Sequence, residues 1–212
     1  MKKTNKSVVI FLIVIVILSL TNLLNIKIDG EVLKLSGISV IIGVVAFFVT
    51  RKTKDEGLNI KTIFKDFKVH PKSIIYALLP FISVILCTVI ANKFIPEFTD
   101  YLKNRINFAT STDLMRTILT MAVLTLGEEI AWRGFFQKQT SKKIHYMLSI
   151  IVTSLLFALG HYSAGSFKIV AYDLLFVFID SSLFGLVFKE TDNAWCSWIP
   201  HFLADVLALF LI

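Results

Sequence analysis

Apolar runs of roughly 20 residues, the length a helix needs to cross a bilayer, recur along the whole chain. Short polar clusters rich in lysine separate them. The pattern predicts an all-α polytopic membrane protein with about seven transmembrane helices. The predicted spans are Val8–Leu24, Leu35–Thr50, Ser73–Phe94, Leu114–Phe136, Tyr146–Tyr162, Ile169–Phe188 and Ala194–Ile212. The second is short, and the fifth is near the lower limit for crossing. One linker has its own period. Ile60, Ile63, Phe64 and Phe67 recur at helical spacing with Lys61, Lys65 and Lys68 between them. This predicts a short amphipathic helix lying on the inner membrane surface. His70-Pro71 ends it. At the fourth span, Ser111 or Thr112 suits the helix cap and Asp113 the first turn.

The first run, MKKTNKSVVIFLIVIVILSL, begins like a signal peptide. No small-x-small cleavage site follows it, so it reads as an uncleaved first span. Composition agrees with a membrane protein. Of 212 residues 56% are hydrophobic and 17% charged, with mean hydropathy +0.76; a soluble domain has about 25% charged residues. Residues 1–212 are therefore expected to form a single membrane-embedded domain. The net charge of +7 clusters between apolar runs and reads as topological, with no nucleic acid as partner. With the N-terminus in the cytoplasm, cytoplasmic segments hold 14 Lys and Arg and the opposite side holds 7. The positive-inside rule then predicts a cytoplasmic N-terminus and, with seven spans, a C-terminus outside. Cys87 and Cys196 lie in apolar segments without metal or disulfide spacing, and packing is their expected role.

The apolar pattern is broken in one place that matters. Glu128, Glu129 and Arg133 lie inside TILTMAVLTLGEEIAWRGFF (Thr117–Phe136). Each ionised group near a bilayer centre costs on the order of 2.5–3.5 kcal/mol by insertion scales, and residues kept at that cost are usually functional. On a helix Glu129 and Arg133 are i, i+4 and share a face. Glu128 is about 100° round and shares its face with Trp132. Glu129 is thus expected to be held by Arg133, leaving Glu128 to react. His161 and His201 lie in later apolar segments, and Asp205 stands i, i+4 from His201. Two imidazoles and a carboxylate can bind zinc and leave a position for water. They can also work without metal, Glu128 as base and the histidines as donors to an oxyanion. Depth sets a condition. Glu128 and His201 fall near the middle of their spans, but His161 falls near the outer end of its own. The three converge only if the fifth span tilts or extends inward. Asp173 and Asp180 share one face of the sixth span and are expected to pair with His or Arg on a neighbouring helix. There is no HExxH, no GxGD after Tyr172-Asp173, and Ser163 is not in a GxSxG elbow.

Three motifs now stand in order: Glu128-Glu129-Ile-Ala-Trp-Arg133, Phe157-Ala-Leu-Gly-His161 and His201-Phe-Leu-Ala-Asp205. They resemble the EExxxR, FxxxH and HxxxN/D pattern of the CPBP family, the CAAX-protease and bacteriocin-processing (Abi) intramembrane proteases. The resemblance covers residues 114–212. It implies intramembrane hydrolysis of peptide bonds by a glutamate-activated water. Carried over by position, Glu128 would activate the water and His161 would assist. His201 and Asp205 would stabilise the oxyanion or complete the site, with Glu129 and Arg133 in support. The cofactor is unknown, with zinc possible. An Asp at position 205, where an Asn would only make hydrogen bonds, favours a metal or a charged His201. Many members have eight spans, whereas seven are counted here up to Ile212. Partners would be a peptide or membrane-protein substrate and the lipid bilayer. The family's bacterial members are linked to peptide maturation and bacteriocin self-immunity, and eukaryotic relatives trim prenylated CAAX proteins. Lys-, Ile- and Phe-rich usage suggests a bacterial cell membrane. Two other readings stay open. One is a non-catalytic membrane immunity or scaffold protein. The other is a proton or ion carrier with a relay through Glu128, His161, Asp180, His201 and Asp205.

Overall fold

A computed structural model describes residues 6–24, 27–28, 31–32, 35–106 and 113–211. Each of the seven predicted spans corresponds to a helix. In chain order the helices are α1 (Lys6–Leu20), α2 (Ser36–Thr50), α3 (Ile63–Val69), α4 (Pro71–Phe94), α5 (Phe98–Ile106), α6 (Leu114–Glu129), α7 (Lys138–Thr140), α8 (Tyr146–Gly160), α9 (Phe167–Thr191) and α10 (Ala194–Leu211). Between α1 and α2, β1 (Lys27–Ile28) and β2 (Glu31–Val32) form a two-residue antiparallel pair. Lys6–Leu24, Pro71–Phe94, Phe167–Thr191 and Ala194–Leu211 are long and apolar enough to cross a membrane. Helices α2 and α8 are apolar but only 15 residues long. Apolar side chains such as Ile41, Ile75, Val89, Val123 and Leu175 stay exposed along the helices. That is the expected outer surface of a bundle whose solvent is lipid.

Successive long helices run in opposite directions, and contacts between their ends show it. At one end Lys138 bonds Asp192 at 2.8 Å and faces Glu56 at 3.5 Å. There the Ala194 N–H donates to the Gly57 carbonyl at 2.9 Å. Asn193 donates to Asp66 and to the Asn59 carbonyl, joining the α9–α10 turn to the segment around α3. At the other end Asn22 donates to Ser36 and to the Gly160 carbonyl, and Lys168 donates to the Phe94 carbonyl. The first end carries the lysine-rich linkers and is called the basic end below.

The amphipathic linker forms a short 3-10 turn, Ile60–Thr62, followed by α3. Its Phe64 is 91% exposed, as an anchor reaching into lipid would be. Asp113 caps α6, accepting from the N–H groups of Met115 and Arg116 at 2.9 and 3.4 Å. Asp113 was expected in the first turn and is instead the cap; the expected caps, Ser111 and Thr112, lie outside the described residues. The fourth predicted span is not one α-helix. From Ile130 to Gln137 it widens into a π-helix, all eight residues of which are buried, before α7 closes it. Ala131 in this stretch meets Gly43 of α2, where a Cβ would sit 2.5 Å from the Ala131 Cβ. The largest core lies here: Phe47, Trp132, Phe135, Phe136, Phe157 and Phe188 pack with Ile15 and Ile130.

Candidate active site

The site is built upward from a fully buried ion pair. Arg133 and Glu129 are both 0% exposed and meet at 2.8 Å, one helical turn apart. The other guanidinium nitrogen donates to the Ser181 carbonyl at 3.0 Å and faces the Ser181 hydroxyl at 2.9 Å. The cation also lies over the rings of Phe157 and Phe184, at 4.8 and 5.5 Å. A buried guanidinium keeps its charge only with such partners. Glu129 passes the order on. Its Oε1 accepts from His201 Nδ1 at 2.8 Å, so Nδ1 carries the hydrogen and Nε2 points the other way. Phe184 stacks flat on the His201 ring, centroids 4.4 Å apart. Pro200, inside α10, directly precedes His201.

His201 Nε2 lies 3.7 Å from Glu128 Oε2 and 3.7 Å from Asp205 Oδ2. His161 comes from a third direction, with Nε2 4.0 Å from Glu128 Oε1. Its Nδ1 donates to the Phe157 carbonyl at 2.8 Å, which again leaves Nε2 as the nitrogen facing the acid. The three motifs thus meet around Glu128. These separations exceed a hydrogen bond, yet one water can touch both members of each pair. The convergence depends on the shortness of α8, which spans about 22 Å at 1.5 Å per residue. A helix of that length falls short of the roughly 30 Å hydrocarbon core of a bilayer, and His161 caps its end.

Several supporting residues come from outside the motifs. Asn22 holds the Gly160 carbonyl, immediately before His161, at 2.7 Å. Tyr101 of α5 donates to the Ser163 carbonyl, two residues beyond, at 3.2 Å. Ser181 holds Arg133. None of the three had a sequence signal, because each acts through the backbone or through another side chain. Trp132 packs beneath the site on Phe136 and Phe157, and Phe157 in turn contacts His161 at 4.4 Å between ring centroids. Asp173 lies within 3.4 Å of the Tyr101 hydroxyl. Asp180 has Ser83 of α4 beside it. Asp180 also interacts electrostatically with His201 of the neighbouring α10, as its expected pairing with a histidine required.

The glutamate and histidines raise the question of zinc. Among the described residues no group of three or more His, Cys, Asp or Glu side chains is arranged to hold a metal ion. Outside the bilayer, Glu56 is held below the usual carboxylate range. The Lys52 backbone N–H bonds it and Lys138 lies beside it.

Comparison with known proteins yields one result. Residues 110–207 match the family described as type II CAAX prenyl endopeptidase, Rce1-like. No curated protein and no solved structure matches the chain.

Proposed function

We propose that the chain, whose residues 110–207 match the Rce1-like type II CAAX prenyl endopeptidases, is an intramembrane endopeptidase driven by Glu128. The observation that carries this reading is the meeting of Glu128, His161 and His201, from three helices, within 4.0 Å. Peptide hydrolysis needs an activated water, a donor for the oxyanion and a proton for the leaving amine. Each role has a candidate here. Glu128 takes a proton from a water lying between its carboxylate and His161 Nε2. The water oxygen attacks the peptide carbonyl carbon. His201, carrying a proton on Nε2 between Glu128 and Asp205, donates to the oxyanion. The C–N bond then breaks, and the proton held by Glu128 passes to the leaving nitrogen. Glu129 and Arg133 act earlier, by fixing the tautomer and tilt of His201. Asp205 balances charge on His201.

The substrate in this reading is a peptide or a membrane-protein segment in the lipid bilayer. The setting is peptide or bacteriocin processing, or self-immunity, in a bacterial membrane, consistent with the Lys-, Ile- and Phe-rich usage. The test uses purified protein in lipid nanodiscs with a quenched fluorogenic peptide library and mass spectrometry of the products. Cleavage by wild type that is lost in His161→Ala, with melting unchanged, supports the reading. Cleavage lost on chelation and restored by zinc would add a metal to the mechanism. No cleavage by wild type, with partner binding retained, would favour a non-catalytic immunity or scaffold role.

A further inference from the structure

Four helices change character at one level. In the long helix from Leu114 to Thr140, every residue from Glu129 to Gln137 is buried, whereas Gly127 and Glu128 are partly exposed. On α9, Ser181, Phe184, Gly185, Val187 and Phe188 are buried, while Asp180 and the residues just before it are not. On α10 burial extends to Ala204, and from Asp205 to Leu211 no residue is buried. On α8, Phe157 and Ala158 are buried and His161 is not. In all four this continuous closed part lies toward the basic end, where Lys138 meets Asp192; nearer the other end burial is scattered, at Thr117, Thr125, Val170 and Asp173. The reactive groups stand on its upper edge. Side-chain exposure is 22% for Glu128, 32% for His161 and 42% for Asp205.

Helix length points the same way. Measured from the basic end, α2 and α8 rise about 22 Å and α4 and α9 about 36 Å, at 1.5 Å per residue. The ends of the two short helices are tied together at Asn22, which bonds both Ser36 and Gly160. His161 therefore stands at a level that the longer helices α4 and α9 rise past, on the side away from the basic end. The basic end carries the linkers with Arg51, Lys52, Lys54, Lys61, Lys65 and Lys68. The positive-inside rule assigns that end to the cytoplasm.

We infer that the site opens to the outer, non-cytoplasmic face of the membrane. Its substrates are then peptides or membrane-protein segments presented at the outer leaflet, not a chain terminus held in the cytoplasm. Only the word substrate rests on the endopeptidase reading; the direction of access does not.

Substituted-cysteine labelling tests this in right-side-out and inside-out vesicles, with a membrane-impermeant methanethiosulfonate and a Cys87→Ser, Cys196→Ser background. Three single-cysteine variants are compared: Lys143→Cys at the basic end, Ala164→Cys in the exposed loop after His161, and Asp205→Cys at the site. Asp205→Cys and Ala164→Cys are expected to label at least tenfold faster in right-side-out vesicles, and Lys143→Cys at least tenfold faster in inside-out ones. Labelling of Asp205→Cys from the Lys143 side overturns the inference. So does labelling of Ala164→Cys and Asp205→Cys from the cytoplasm, or failure of Asp205→Cys to label from either face while Ala164→Cys does. A second arm supplies an impermeant peptide to wild-type proteoliposomes. Labelling as expected without any cleavage would remove the endopeptidase reading and leave the direction of access standing.

Discussion

Replacing Arg133 by Met separates what the buried pair does for stability from what it does for His201. Arg133 and Glu129 are 0% exposed and 2.8 Å apart. Losing one partner leaves a carboxylate without its cation in an apolar core, a change that typically costs about 3–5 kcal/mol. Arg133→Met also gives up two contacts to Ser181 and the faces of Phe157 and Phe184. Glu129→Leu has a similar cost, since the guanidinium then keeps only Ser181 and the rings. The double variant, with no buried charge, is expected to recover most of this and to fall within about 2 kcal/mol of wild type. The cycle should therefore give a coupling above about 2 kcal/mol. Reversible unfolding in mixed micelles measures it. The double variant nevertheless lacks the acceptor that fixes His201 Nδ1. A catalytic group misplaced by an ångström costs about 100-fold in rate, so kcat should fall by about that factor in a chain that is folded. A loss below about 1 kcal/mol for Arg133→Met, or wild-type kcat in the double variant, would refute the chain of support from Arg133 through Glu129 to His201.

Three further outcomes follow from other contacts. Asn22→Leu removes the donor to the Gly160 carbonyl; kcat is expected to drop about tenfold with KM nearly unchanged and the pH–rate profile displaced, on the scale of a small misplacement, and an unchanged profile would make Asn22 merely structural. Gly43→Leu forces a side chain against Ala131, where a Cβ already meets its Cβ at 2.5 Å; unfolding should show a loss of about 1–3 kcal/mol, and none would mean that α2 does not pack tightly on the π-helix. Glu56 has its folded pKa lowered, first by the Lys52 N–H and also by Lys138, so its contribution is present above about pH 4.5 and is lost as pH falls through the lowered folded value. Melting of wild type and Glu56→Gln should accordingly differ near neutral pH and converge in acid. A difference that grew in acid would reverse the sign.

The parts of the fold that were legible in the sequence are those set by periodicity and by the cost of charge in lipid. The apolar runs placed every long helix, and the i, i+3, i+4 pattern of Ile60, Ile63, Phe64 and Phe67 placed the short helical segment before α4. The pair Glu129–Arg133 was legible because one turn of helix brings them together whatever surrounds them. The meeting of His161 with Glu128 was legible only as a condition. Sequence spacing gives the order of residues on a helix but not the depth at which a 15-residue helix stops. The π-helix at Ile130–Gln137 left no trace in composition, since all eight residues are suited to an α-helical interior as well. Asn22, Tyr101 and Ser181 were hidden for another reason. Asn22 and Tyr101 donate to backbone carbonyls, and Ser181 offers its own carbonyl and hydroxyl to Arg133, each across more than 40 residues, and no local pattern announces such a bond. Helix α5, with only nine residues, was also hidden. It packs Phe98 against Tyr172 instead of spanning.

The most direct test of the proposal is kcat for Glu128→Gln against wild type, on the best peptide from the library, with folding checked by melting. The substitution keeps the shape of the side chain and removes its capacity to take a proton. A fall of about 10²–10⁴-fold, the usual contribution of a general base, with unchanged melting is the predicted result. Cleavage within a few-fold of wild type would contradict the account and release Glu128 from the mechanism.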